Sequence, residues 1–144
     1  MIVVASDHGG LTLKNAVLAS LRSQQIECAD YGTEGTASVD YPDYAAKVAR
    51  AVADGTASAG ILACGTGIGM SITANKFPGV RAALVHDEFT ARMAGEHNNA
   101  NVLVMGGRVL TPEQGVKLVN VWLQARYEGG RHQNRLDKIT ALER

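Results

Sequence analysis

The sequence predicts a three-layer α/β domain in which helices cover both faces of a five-stranded parallel sheet. Three observations predict it. Five short apolar runs recur along the 144 residues, and none alternates with a period of two, as a strand wet on one face would. Helical stripes lie between the runs. Polar and glycine-rich stretches follow the runs, at the end of an open parallel sheet where ligands bind.

The elements follow in order. The first run is 2–6, and Leu13, Val17 and Leu21 then recur every fourth residue as a helix face. The second run is 26–30. After it, 32–43 is the longest polar connection and a candidate active-site loop. Tyr44, Val48, Ala51 and Val52 give the next helical stripe, and Gly55 is placed to stop it. Runs three, four and five are 59–63, 81–85 and 101–105. Thr111-Pro112-Glu113-Gln114 reads as a helix start, with Thr111 at the cap, Pro112 in the first turn and Gln114 three residues on. Leu118, Val119, Trp122 and Leu123 supply that helix's buried face. Gly129-Gly130 then breaks the chain before a last helix over 133–142, which is expected to pack on a partner subunit, with its own domain as the alternative. No repeat or linker divides the chain, so 1–144 is read as one domain.

Composition excludes several classes. A hydrophobic fraction of 46% with 19% charged residues is not that of a disordered chain. Lys+Arg and Asp+Glu both number 14, so no bulk charge draws the protein to nucleic acid or an anionic membrane. No apolar run approaches the ~20 residues that span a bilayer. The first residues lack the basic start of a signal peptide, and Cys28 and Cys64 form no CxxC or metal spacing. A reducing, cytoplasmic setting is therefore expected. Glycine is the excess: 16 of 144 residues, which suits tight turns and backbone-lined sites.

The glycines concentrate where chemistry is expected. After the third run comes Cys64-Gly65-Thr66-Gly67-Ile68-Gly69. Alternate glycines let backbone N–H groups face an anion, and the following helix adds its positive end. This is neither a Walker A loop, since no Gly-Lys-Ser/Thr follows, nor the GxGxxG dinucleotide fingerprint. Asp30 stands where a ribose-binding acid would. However, Asp7-His8-Gly9-Gly10 puts an acid where a pyrophosphate would go, which disfavours a dinucleotide. Cys64, at a helix N-terminus, is a candidate nucleophile or base, against the plain reading of a small buried residue. A cysteine-phosphatase loop would need Arg where Met70 stands. Cys28 reads as core.

Other polar residues gather around the same strand ends. Arg131 and Arg135 are spaced i, i+4, and Arg108 follows a Gly-Gly; together they are candidates for one phosphate, which guanidinium groups match in a bidentate way. The alternative for the first two is a solvated face beside Glu128 and Asp137. His8 and His97 are candidate acid–base groups, since imidazole exchanges protons near neutral pH. His86 is ambiguous and His132 flanks the arginines. No two ligands share a local metal spacing, so no metal is expected.

Seven motifs run in order across nearly the whole chain: Ser6-Asp7-His8-Gly9-Gly10, Asp40-Tyr41-Pro42, the 64–69 loop, Ala74-Asn75-Lys76, His97-Asn98, Gly107-Arg108, and Tyr127-Glu128-Gly129-Gly130-Arg131-His132. In that order they resemble the sugar-phosphate isomerase family of ribose-5-phosphate isomerase B and the galactose-6-phosphate isomerase subunits. The resemblance implies a Rossmann-like domain that works as a homodimer or dimer of dimers with shared active sites. It implies a sugar-phosphate substrate, with no metal and no organic cofactor. It makes Cys64 the base that moves a proton between C1 and C2, with Thr66 beside it in the catalytic loop, and His97 the aid to ring opening. Asp7, His8, Gly65, Thr66, Gly67, Ile68, Gly69 and Asn98 hold the sugar and enediolate; Arg108, Arg131 and Arg135 hold the phosphate, some of them from the partner subunit. Members without the cysteine carry a glutamate a few residues on; here position 68 is Ile. The alternatives are the same chemistry on allose 6-phosphate, a tetrulose phosphate or galactose 6-phosphate, and a phosphate- or nucleotide-binding sensor without turnover.

Overall fold

The computed structural model describes residues 1–143. Its five strands are β1 (Ile2–Ser6), β2 (Cys28–Asp30), β3 (Ala59–Cys64), β4 (Ala82–Leu84) and β5 (Val102–Gly106). They form one sheet in the order β2-β1-β3-β5-β4, with every pair parallel. The helices are α1 (Leu11–Ser23), α2 (Tyr41–Ala53), α3 (Ile68–Ala74), α4 (Glu88–Glu96), α5 (Pro112–Gln124) and α6 (Arg131–Thr140). A short 3-10 turn, His8–Gly10, leads into α1.

Both faces of the sheet are covered, which explains the unbroken apolarity of the strands. Ile2 and Val4 on β1 point to one layer with Leu13, Val17 and Leu21 of α1, Ala91 of α4, and Leu118 and Trp122 of α5. Val3 and Ala5 point to the other, with Val48 and Val52 of α2 and Met70 and Ala74 of α3. Cys64 faces this second layer. Burial of such side chains contributes ~1.5–3 kcal/mol each for the larger ones.

Element edges differ from expectation for local reasons. At the second run the chain turns at Gln25 (φ 60), and the Ile26 N–H bonds back to the Leu21 carbonyl, so the ladder begins only at Cys28. At the fourth, the Arg81 N–H is taken by the Asn101 side chain at 2.7 Å, and β4 starts one residue later. Helix α4 carries no conspicuous apolar stripe because its buried residues are small: Ala91, Ala94 and Gly95. The expected start at Thr111 is present as a capping box with Gln114.

The last helix runs over Arg131–Thr140, not 133–142. Gly129 and Gly130 both have positive φ, and the His132 N–H bonds to the Gly129 carbonyl, so the helix starts directly after the glycine pair. His132 and Leu136 bury α6 against its own chain, while Ile139 stays exposed on it.

Candidate active site

Strands β1 and β3 are neighbours, yet the chain leaves them toward opposite edges of the sheet. A ligand site is expected at the carboxyl ends of such strands. Three loops meet there. The Gly107 N–H donates to the Cys64 carbonyl (2.7 Å), the Arg108 N–H to the Gly65 carbonyl (2.9 Å), and the Asp7 N–H to the Ala63 carbonyl (3.2 Å).

Each side chain there has a defined setting. Asp7 Oδ1 accepts the N–H groups of Gly9 (2.8 Å) and Gly10 (3.1 Å), which holds the turn after β1. His8 Nδ1 accepts the Val39 N–H at 3.2 Å. A neutral His8 therefore carries its proton on Nε2 and can present it to a ligand. Cys64 is buried, and its Sγ accepts the Gly67 N–H at 3.1 Å. Gly67 has φ +82, which swings that N–H back on the thiol as α3 begins. Helix α3 has only seven residues, so the loop's own N–H groups provide most of the local positive field. Thr66 Oγ1 accepts the Ile68 N–H at 3.2 Å, leaving its hydroxyl proton free to donate. The Tyr41 ring lies over Gly69, where a Cβ would strike it, and the Arg108 guanidinium lies against Gly65.

A second constellation forms at the opposite edge. His97 caps the C-terminus of α4, with Asn98 and Asn99 leading toward β5. Asn99 has φ 46, and its carbonyl accepts from Arg81 Nε at 2.8 Å, which holds the turn. The His97 ring stacks on His132, with centroids 4.1 Å apart and planes 18° apart. Glu128 Oε1 is 3.5 Å from both Nε2 atoms. His97, Asn98, His132 and Arg135 line a cavity of about 230 Å³. The two histidines and Glu128 offer three ligand atoms within 4.8 Å of one another. Near-parallel rings, however, aim their lone pairs side by side, whereas a metal needs them to converge ~2 Å away. A shared carboxylate acceptor suits this geometry.

One chain thus brings together Asp7, His8, the 65–69 loop and Arg108 around Cys64. It does not bring His97, Asn98, Arg131 or Arg135 to that place. Strand β5 lies between: Val102 begins beside the His97 turn, and Gly106 ends beside Cys64. Five residues of parallel strand span ~16 Å. Within a single chain Arg108 is separate from Arg131 and Arg135, so one phosphate held by all three would draw on arginines of two subunits, as the resemblance implies. Sequence reasoning also passed over Glu128, which it placed only as a neighbour of the arginines, and left Tyr41 without a role. The available signal for Glu128 was its i, i+4 spacing to His132.

Comparison with known proteins settles the family. The family described as Ribose/Galactose Isomerase matches residues 2–139. The chain belongs to that family. This makes it an enzyme of the aldose–ketose isomerase class. Ribose-5-phosphate isomerase B of Escherichia coli K12 is 46% identical over 142 residues, covering 99% of this chain and 95% of the relative. The Clostridium thermocellum ribose-5-phosphate isomerase B structure superimposes with a TM-score of 0.96 at 47% identity, covering 98% of this chain and 95% of that one. The Mycoplasma genitalium ribose-5-phosphate isomerase B, solved with bound ribulose 5-phosphate, gives 0.94 at 46% identity, covering 97% and 93%. No helix among the described residues is long and apolar enough to cross a membrane.

Proposed function

We propose that this isomerase interconverts D-ribose 5-phosphate and D-ribulose 5-phosphate through an enediolate. The observation that carries the reading is the Cys64 thiol at the mouth of a glycine loop, with a backbone N–H aimed at its sulfur. The ribulose 5-phosphate bound to the Mycoplasma genitalium relative supports the choice of substrate.

In this scheme Cys64, as thiolate, takes the C2 proton of the open-chain aldose. The C–H electrons form the C1=C2 bond and negative charge collects on O1. The loop N–H groups meet that charge, and one well-placed donor of this kind contributes ~3–4 kcal/mol. The Thr66 hydroxyl passes the O2 proton to O1, and Cys64 returns its proton to C1 as the C2 carbonyl forms. His97 aids opening of the furanose ring beforehand. Asp7, His8 and Asn98 hold the sugar hydroxyls. Arg108, Arg131 and Arg135 hold the phosphate, whose binding energy orients the reacting carbons. The scheme needs no metal and no organic cofactor.

His97, Asn98, Arg131 and Arg135 serve the site of a partner copy, so the working unit is a homodimer or a dimer of dimers. Exposed Ile68 and Ile72 on α3 and Ile139 on α6 offer apolar surface for that contact, with α6 reaching the partner. The setting is the cytoplasm, on a single domain spanning 1–144.

A coupled assay over pentose and hexose phosphates is expected to give the highest kcat/KM with ribose 5-phosphate. Cys64→Ala should abolish hydrogen exchange at C2 while the sugar phosphate still binds. Undiminished isomerisation by Cys64→Ala would remove the base from this scheme.

A further inference from the structure

Glu128 has no part in the steps above, yet it is placed against the one acid–base group they require at the amino edge of the sheet. Its Oε1 lies 3.5 Å from Nε2 of both His97 and His132. Its backbone N–H donates to the Glu96 carbonyl at 3.0 Å, directly before His97 in the chain. The segment is tied further along: the Tyr127 hydroxyl donates to Gln133 Oε1, and Gln133 Nε2 to Asp137 Oδ1, each at 2.8 Å. His132 is 9% exposed, so its ring is a fixed wall against which His97 stacks. The carboxylate is thus carried on a braced segment and faces two rings at once.

We propose that Glu128 is a positioning residue for His97, holding the imidazole in one orientation and one tautomer for ring opening. The inference rests on the reading of His97 given above. Which ring nitrogen carries the proton is set by the partner of the other. With the carboxylate facing Nε2, the proton of neutral His97 sits there and Nδ1 presents a lone pair to the substrate. The anomeric O1–H proton then passes to Nδ1, the C1=O1 bond forms, the C1–O4 bond breaks, and a water molecule supplies the proton that O4 takes. The ion-pair distances are long for hydrogen bonds, and such contacts commonly tighten only when substrate is bound. His97 and Glu128 side chains are 38% and 54% exposed, so the contact adds little to folding stability. Its contribution lies in orientation.

The test separates ring opening from proton transfer. Ribulose 5-phosphate has no free hydroxyl with which to close a furanose ring, so deuterium uptake at its C1 in D2O reports proton transfer alone. Isomerisation of ribose 5-phosphate requires both. Glu128→Gln and Glu128→Asp are compared with wild type, with thermal unfolding as the check on folding. For Glu128→Gln, isomerisation is expected to fall roughly ten- to hundredfold, while C1 exchange stays within about twofold. Glu128→Asp, which keeps the carboxylate, should recover part of the loss. Isomerisation unchanged in Glu128→Gln, or isomerisation and exchange falling together, would overturn the proposal. Wild type that does not convert ribose 5-phosphate would instead overturn the substrate reading on which it rests.

Discussion

Cys64 and His97 lie at opposite ends of one parallel sheet, with the length of β5 between them. Cys64 ends β3 in register with Gly106, and His97 closes α4 before β5 begins. Both cannot act on one small sugar within a single chain. Two inactive variants should therefore complement each other. Cys64→Ala and His97→Asn homomers are expected to lack isomerase activity. Subunits exchanged at random between them should recover activity approaching about a quarter of wild type, because half the dimers are mixed and each mixed dimer has one intact site. Activity is measured after unfolding and refolding the two variants together. No recovery, with mixed dimers demonstrated by mass, would show that the site is not shared.

Lys14 gives a prediction about stability. Its ammonium is 1% exposed and donates to Asp30 Oδ1 at 2.7 Å and to the Thr33 carbonyl, which ties α1 to the chain leaving β2. Asp30 is 29% exposed and can still be hydrated. Removing Asp30 therefore strands a buried cation, whereas removing Lys14 strands an anion that meets water. Asp30→Ala should cost ~3–5 kcal/mol and Lys14→Met only about 2 kcal/mol. Urea unfolding of both variants decides it, and the reverse order would be inconsistent with these exposures.

The start of α4 should show a pH signature. Asp87 accepts the Thr90 backbone N–H at 2.7 Å and the Thr90 hydroxyl at 2.8 Å. These bonds hold its carboxyl below the usual aspartate value, the backbone bond most. A carboxyl depressed in the folded state adds stability above its unfolded pKa, and that stability is lost as pH falls through the folded pKa. Asp87→Asn should therefore lower Tm near neutral pH, and the gap to wild type should narrow below about pH 4. A gap that widens on acidification would contradict this account of the cap.

Much of the fold was legible in the chain because the signals are local. All five strands were located by continuous apolarity, and the Thr111 start of α5 by its capping residues. The short strands β2 and β4 begin later than their apolar runs, since the Ile26 N–H bonds to the Leu21 carbonyl and the Arg81 N–H to the Asn101 side chain. Helix α4 was the weakest signal, because alanine and glycine fill its buried face. At the site, the thiol loop and the Asp7-His8 turn announced themselves by following strands.

The sequence by itself determined the layer architecture, the family and the residue types that gather at strand ends. These depend on spacing along a few turns of chain and on the order of motifs. The strand order, with β5 inserted between β3 and β4, was decided only in three dimensions, where long-range packing selects neighbours. So was the division of the candidate site between two edges of the sheet. A loop before a strand and a loop after it are close in sequence, yet a parallel strand carries them apart by its full length. The same holds for Glu128, which lies 3.5 Å from His97 although α5 separates them in the chain. Helices α4 and α5 each run back against the strands, so both C-terminal ends reach one edge of the sheet, and no local pattern records that meeting.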